Sequence, residues 1–298
     1  LQVVGEERRQ RHDLLEVRLD VPLHRVDFEA VRVERRLGGP ADALARPATR
    51  AELAALLQIC SRHGLPWTLL GGGFNTLVQD AGLAGVVIQL KKLRALQQRS
   101  ARTLFAEAGL SHASLTRFCV EKGLSGLEFG CGIPGTVGGW IAMNAGIGSR
   151  EIEAAVLEIE LMGRDGHCTS LPRQVLDFGY RELRGLAPGS VIVSALLEVE
   201  PSEPSRVRAE VDRLLARRAA SQPLDVPSCG SVFRNPAGDS AGRLIEQAGL
   251  KGVQAGGAQI APVHANFITN TGGATAADVL ALIERARKAV REQFGVEL

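Results

Sequence analysis

Aromatic residues are scarce in this 298-residue chain: two Trp, one Tyr and nine Phe. So few rings do not build the row of stacking platforms that a single-strand nucleic-acid binder needs. No apolar run approaches the ~20 residues that span a bilayer. The opening residues, LQVVGEERRQRHD, lack the apolar centre of a secretion signal. An excess of one charge is missing too: the formal net charge is +2, which predicts no nucleic-acid or other polyanion partner. The five cysteines, at 60, 119, 131, 168 and 229, are odd in number and form no C-x-x-C pair. They also join no histidines at zinc spacing, so neither a metal nor a disulfide framework is expected. Without an export signal, reduced thiols in a cytoplasm are the expectation. The chain has no initiator Met and stops at Leu298 without a breaker, so truncation is expected.

Glycine is what the chain has in quantity, 34 residues, and its densest run is Gly123 to Gly146, GLSGLEFGCGIPGTVGGWIAMNAG. Glycine is the costliest residue to order. Such a run implies backbone in unusual conformations or backbone close to a ligand. Within it, Gly130-Cys131-Gly132-Ile133-Pro134-Gly135 fits G-x-G-x-x-G. In a Rossmann unit the third glycine opens a helix. Here Pro134 precedes it and Gly138-Gly139 follow, which disfavours helix on both sides. The sequence therefore predicts a turning loop with outward amides, a concavity suited to phosphates. A glycine-rich crossing between packed layers is the plain structural alternative.

The length predicts about two domains. Residues 1–35 alternate apolar positions (Leu15, Val17, Leu19, Val21) and read as a short strand or extended arm. Residues 49–63 predict an amphipathic helix capped by Thr49, with Leu53, Leu56, Leu57 and Cys60 on one face. Residues 66–70 predict a buried strand, with further strands at 85–90, 102–108 and 190–199. A helix is expected over 111–122, capped at Ser111 and ended by Gly123. Residues 151–163 favour strand, turning at 163–166 into 168–171. Prolines at 201, 204, 223 and 227 bracket a basic helix, 205–220, whose arginines read as a solvated face. A compact unit follows: a loop at 229–239, helices over 240–248 and 275–294, and a strand at 264–269. This element order is α+β.

Three loops could carry chemistry. Gly71-Gly72-Gly73-Phe74-Asn75-Thr76 ends a strand in amides able to cradle a diphosphate, or is simply a tight turn. The run Gly123–Gly146 is the second, and the two together favour a paired phosphate clamp more than either does alone. The third, residues 227–236, holds Ser231, a candidate proton donor, and Arg234, a candidate anion contact; a Ser/Asn-rich turn is the alternative. No His lies near Ser231 in sequence, so a hydrolytic triad is not supported. Tyr180-Arg181 pairs the one tyrosine with an arginine suited to bidentate carboxylate or phosphate binding. His264 precedes an apolar strand and reads as a core histidine.

GLEFGCGIPGTVGGWIAMNAG, GSVFRNPAGDSAGRLIEQAGLKG and GGAQIAPVHANFITNTGGATAADVL together resemble the UDP-N-acetylenolpyruvoylglucosamine reductase family in its shorter form. These flavoenzymes make UDP-N-acetylmuramate for peptidoglycan. The resemblance runs from about Gly38 to the end. It implies an α+β, two-lobed FAD-binding fold of the vanillyl-alcohol-oxidase/PCMH type, then a smaller α+β substrate-binding domain. The implied divisions are 1–95 (arm and first lobe), 96–200 (second lobe), 201–226 (linker helix) and 227–298. It further implies non-covalent FAD, NADPH as electron donor, UDP-N-acetylglucosamine enolpyruvate as substrate, and a cytoplasmic monomer without membrane insertion. Gly71, Gly72, Gly73, Phe74, Asn75 and Thr76 would hold the FAD diphosphate with Gly132, Ile133, Pro134, Gly135, Thr136, Gly138 and Gly139. Asn144, Ala145 and Gly146 would line the flavin. Arg181 matches the family's catalytic arginine and Ser231 its proton-donating serine. Tyr180, Arg234, Asn235 and Gln259 match substrate contacts.

The chain departs from the family pattern at several positions. Phe74 stands where a small hydroxyl residue is usual, Arg234 where lysine is usual, Leu183 where serine is usual, and Glu34-Arg35 where a threonine pair is usual. The family's catalytic glutamate follows a final F-G-V segment; here that segment is Phe294-Gly295-Val296-Glu297-Leu298, and Glu297 precedes the expected place. Two alternatives stay open. One is an oxidase of the same fold, disfavoured because no His stands near Gly73 to anchor flavin covalently. The other is a flavin- or nucleotide-sugar-binding homologue with impaired catalysis.

Overall fold

Apolar residues recur every three or four positions after Thr49 and fold as a helix, α1 (Arg50–Arg62). The Thr49 hydroxyl accepts from the Glu52 amide at 3.1 Å, and Leu53, Leu56, Leu57 and Cys60 are buried as expected. In this computed structural model the described residues are 1–4, 38–148, 150–223 and 225–298. The arm expected over 1–35 and the Glu34-Arg35 departure therefore lie outside them, apart from a short strand, Gln2–Val4, that runs parallel to Thr76–Val78.

α1 is the crossover of a parallel three-stranded sheet, ordered Ala41–Ala45, Leu83–Ile88, Trp67–Leu69. The buried strand expected at 66–70 is a correction: Trp67–Leu69 is the edge of this sheet, and Leu69 is 39% exposed. Only Leu70, where the chain turns inward, is fully buried. A second sheet is five-stranded and antiparallel, ordered Cys168–Pro172, Val156–Met162, Val191–Glu198, Thr103–Glu107, Leu96–Ser100. The hairpin at 163–166 is present as expected. α2 (His112–Lys122) is capped by Ser111 and closed by left-handed Gly123, φ 63°. One continuous core joins α1, α2 and the inner faces of both sheets.

The turning loop expected around Gly138-Gly139 is also a correction, because residues Val137–Ala142 form a short helix, α3. The paired glycines cost propensity, but they let the helix lie on its neighbour: a Cβ on Gly138 would sit 2.8 Å from the Ala108 Cβ. Val137, Trp140 and Ile141 are buried in return. α4 (Pro204–Ser221) buries Val207 and Val211 against Val120 and Cys131. Its arginines are not uniformly solvated, and Arg218 is half-buried against the glycine loop.

The last unit is a four-stranded antiparallel sheet, ordered Ser228–Ser231, Phe267–Asn270, Ala258–Ile260, Gln254–Ala255, flanked by α5 (Ala241–Gln247) and α6 (Ala276–Phe294). The loop expected at 229–239 thus begins as a strand, since Ser228–Ser231 pairs with Phe267–Asn270. Its own core includes Leu244, Ile245, Ile260, Val279, Leu282 and Val290, and it takes in Leu77 from beside the first sheet. Asp80, two residues beyond the strand Thr76–Val78, accepts from the first amides of α6, those of Ala276 and Ala277, at 2.8 and 3.0 Å.

Candidate functional site

Tyr180 and Arg181 are the two-residue tip of a hairpin between Asp177–Gly179 and Glu182–Arg184. Arg181 has φ 62°, which costs a non-glycine residue roughly 1–2 kcal/mol, so its surroundings must hold it there. Its Nη1 donates to Glu151 Oε1 at 2.7 Å and to the Asn144 carbonyl at 3.3 Å, and Nη2 donates to the Gly146 carbonyl at 3.3 Å. Asn144 is also left-handed, φ 37°, and buried. Its side-chain Nδ2 donates to Glu151 Oε2 at 2.9 Å and to the Gly179 carbonyl at 3.0 Å, while its side-chain Oδ1 accepts from the Glu153 amide. Two strained residues and one carboxylate thus lock one another.

The loop after Ser228–Ser231 reaches this turn from the third sheet. The Asn235 amide donates to the Tyr180 hydroxyl at 3.4 Å, Arg234 Nη2 donates to the Arg181 carbonyl at 3.5 Å, and Arg234 Nη1 lies 3.8 Å from Glu182. Ser231 ends its strand beside a register shift and left-handed Gly230, φ 60°. Such a bulge re-aims side chains. Ser231 is exposed, and its hydroxyl makes no hydrogen bond to a described residue. Gln259 stands apart, with Nε2 donating to the Gly252 carbonyl. The Asn235 side chain is spent on the Ala241 amide at the start of α5.

The two glycine loops meet. A Cβ on Gly71 would lie 3.1 Å from Thr136 Oγ1, and one on Gly72 would lie 3.1 Å from the Gly135 Cα. The amides of Gly71, Gly72 and Gly73 on one side, and of Gly132 and Gly135 on the other, donate to no described residue. Unpaired amides in two loops that meet suit an anion. The Phe74 ring lies against Gly72, and the Asn75 amide group donates to Met143 Sδ at 3.3 Å. Arg218 Nε is buried without a partner among the described residues, and a Cβ on Gly132 would be 3.2 Å from it. Burial lowers the pKa of this guanidinium, and an anion at the loop would favour its charged form. The donor set therefore fits a diphosphate group. Gly130 serves packing instead, since a Cβ there would sit 2.4 Å from the Trp140 ring. Cys131 is buried and its thiol pKa is pushed up by that burial, which leaves it unreactive.

Of the residues picked out in the sequence, the structure gathers Asn144, Gly146, Tyr180, Arg181, Arg234 and Asn235 at one place and Gly71–Phe74 with Gly132, Gly135 and Thr136 at another. Glu151 was missed. It is brought in by a tight hairpin pairing Gly146 with Glu151, and the signal for it was an acid shortly after a glycine-punctuated Asn-Ala-Gly. His264, half-buried beside Phe267, accepts from the Asn266 amide. Among the described residues no His, Cys, Asp or Glu cluster could hold a metal, and no helix is long and apolar enough to cross a membrane.

Residues 41–171 match the family described as FAD binding domain, and residues 222–298 match the C-terminal domain of UDP-N-acetylenolpyruvoylglucosamine reductase. Two sheet-bearing lobes joined at a glycine cradle, followed by a smaller α+β unit, define a flavoprotein oxidoreductase. Relatives bearing the reductase name occur in Geobacter metallireducens, at 45% identity over 88% of this chain and 87% of theirs, and in Anaeromyxobacter dehalogenans, at 47% over 90% and 81%. The crystal structure of the reductase from Thermus caldophilus superposes with a TM-score of 0.80 at 34% identity, covering 92% of this chain and 97% of that one. The chain belongs to the UDP-N-acetylenolpyruvoylglucosamine reductase family. It is an FAD-dependent oxidoreductase of peptidoglycan synthesis, with NADPH as reductant. The alternative of impaired catalysis gains no support from these matches.

Proposed function

We propose that this chain reduces UDP-N-acetylglucosamine enolpyruvate to UDP-N-acetylmuramate, and that the residues gathered at the two places above do the work together with Ser231 and Gln259, which lie outside them. FAD, when bound, would supply the hydride chemistry that links NADPH to the β-carbon of the enolpyruvyl ether. Gly71, Gly72, Gly73, Phe74, Asn75 and Thr76 hold its diphosphate together with Gly132, Ile133, Pro134, Gly135, Thr136, Gly138 and Gly139. Asn144, Ala145 and Gly146 line the flavin side. Arg181 receives the negative charge that gathers on the substrate carboxylate as the β-carbon is reduced, and a guanidinium already fixed needs no reorganisation when that charge appears. Ser231 gives its proton to the α-carbon; a hydroxyl suffices as acid only because that carbon is then strongly basic. Tyr180, Arg234, Asn235 and Gln259 orient the nucleotide sugar.

The observation that carries this reading is the hydrogen-bonded Arg181 at the contact between the Tyr180 turn and the third-sheet loop. The same reading divides the chain at 95, 200 and 226 and makes it a cytoplasmic monomer. The test is the visible spectrum of the purified protein under anaerobic conditions. NADPH should bleach the flavin band, and the enolpyruvyl substrate should restore it. A band that bleaches and does not return with substrate counts against this substrate. The absence of a flavin band after added FAD counts against the cradle.

A further inference from the structure

An arginine has five N–H donors, and those of Arg181 are divided unevenly. Both Nη1 hydrogens are spent, on Glu151 Oε1 and the Asn144 carbonyl, and one Nη2 hydrogen goes to the Gly146 carbonyl. Among the described residues, Nε–H and the second Nη2–H have no partner. Nε and Nη2 lie on the same edge of the guanidinium, the side-on fork that matches a carboxylate in a bidentate pair. The far end of the guanidinium is thus tied down and the near edge is left open.

What ties it is Glu151. Its two oxygens are divided between Arg181 Nη1 at 2.7 Å and Asn144 Nδ2 at 2.9 Å. Asn144 in turn is fixed by the Gly179 carbonyl and the Glu153 amide. The hairpin behind it allows no play: a Cβ on Gly146 would lie 1.9 Å from the Arg150 carbonyl oxygen. We infer that Glu151 is a positioning residue for the reduction, which clamps the end of the Arg181 guanidinium so that its Nε/Nη2 edge faces the substrate carboxylate as charge builds there. The inference rests on the reaction proposed above. Glu151 touches neither the substrate nor the reacting atoms; it acts through Arg181. A glutamine cannot replace it, because its amide would oppose either the Arg181 donor or the Asn144 donor.

The test separates the two half-reactions of the FAD-loaded enzyme by anaerobic rapid mixing, and measures FAD affinity separately by flavin fluorescence. In Glu151→Gln, FAD affinity and the rate of flavin bleaching by NADPH should stay within about threefold of wild type. Substrate-driven return of the flavin band should fall on the order of 100-fold at saturating substrate, the scale of losing one well-placed donor to a developing oxyanion. Glu151→Asp, which keeps the charge and both acceptors, should fall between the two. Equal losses in both half-reactions, weakened FAD binding, misfolding of both variants, or a Gln variant faster than the Asp variant would each make Glu151 a structural residue and overturn the inference. Wild-type enzyme that NADPH bleaches but this substrate does not restore would instead overturn the substrate assignment beneath it.

Discussion

His112 shows how much a single buried side chain can weigh. It is 4% exposed, its Nδ1 lies 3.2 Å from the Gly130 carbonyl, and its Nε2 has no partner among the described residues. The ring stands edge-on to Trp140 at 4.1 Å. Burial, helped by the positive charge of Arg218 and opposed by the Gly130 carbonyl, lowers its pKa to about 4. Unfolded, the same imidazole titrates near 6.5. Between those values the unfolded chain takes up a proton that the folded one refuses. The stabilisation is therefore complete above about pH 6.5 and is lost as pH falls toward 4. The full window is worth roughly 3 kcal/mol at ~1.4 kcal/mol per pH unit. Urea unfolding at pH 7 and pH 4.5 should show this fall in wild type and a smaller one in His112→Gln. Equal falls in the two proteins would place the pH dependence on the carboxylates instead. Nothing in the sequence around His112 marks it, because its shift comes from burial beside Trp140 and from the charge of Arg218, both brought to it by tertiary packing.

Helices were legible where their caps and faces coincide. α1, α2 and α6 each have a hydroxyl at the N-cap that accepts from the third helical amide and an unbroken apolar face. α3 was not legible, because its glycines argue locally against helix and Gly138 is explained by Ala108, far off in sequence. Gly138→Ala makes this measurable. Helix propensity alone would gain about 1 kcal/mol. Against it, the new Cβ would lie 2.8 Å from the Ala108 Cβ and 3.3 Å from its carbonyl oxygen, and overpacking of that kind costs about 1–3 kcal/mol. The contact is with backbone and a methyl that cannot swing away, so the clash should win: the variant should unfold at lower temperature. A rise in melting temperature would mean that α3 shifts freely on its sheet. The start of α6 offers a second case. Thr275 and Asp278 form a capping box, while the amides of Ala276 and Ala277 are taken by Asp80, 196 and 197 residues away in sequence. Asp80→Ala should cost about 1 kcal/mol, the usual loss for a helix cap, with FAD affinity unchanged. Short strands such as Leu96–Ser100 and Gln254–Ala255 escaped notice because their exposed polar residues carry no alternating pattern.

The glycine cradle belongs to the whole molecule, since its halves come from different sheets. Gly71–Gly73 follow the edge strand of the parallel sheet, and Gly132–Thr136 lead into α3, which packs on the antiparallel sheet. Both loops and their pairing as a phosphate clamp were readable in sequence, but the geometry of their meeting was not, because it depends on how the two sheets share one core. Arg218, held against Gly132 from a helix that looked merely solvated, is part of the same lesson. A ligand seated across both loops must be released before either sheet unfolds, so it should link their unfolding. At about 100 times its Kd, FAD should add about 2.7 kcal/mol of stability. Scanning calorimetry should show this as one cooperative transition that moves upward with FAD concentration. Gly72→Val tests where the effect arises, because its side chain would begin 2.6 Å from the Phe74 ring and 3.1 Å from Gly135, forcing the loops apart. That variant should lose the FAD-dependent shift, with an apo transition lowered by the clash. If instead its shift equals that of wild type, the diphosphate does not sit between these loops. If wild type shows no shift at all, the joining of the two sheets rests on their shared apolar core alone, and the unpaired amides of Gly71, Gly72 and Gly73 must find water rather than a cofactor.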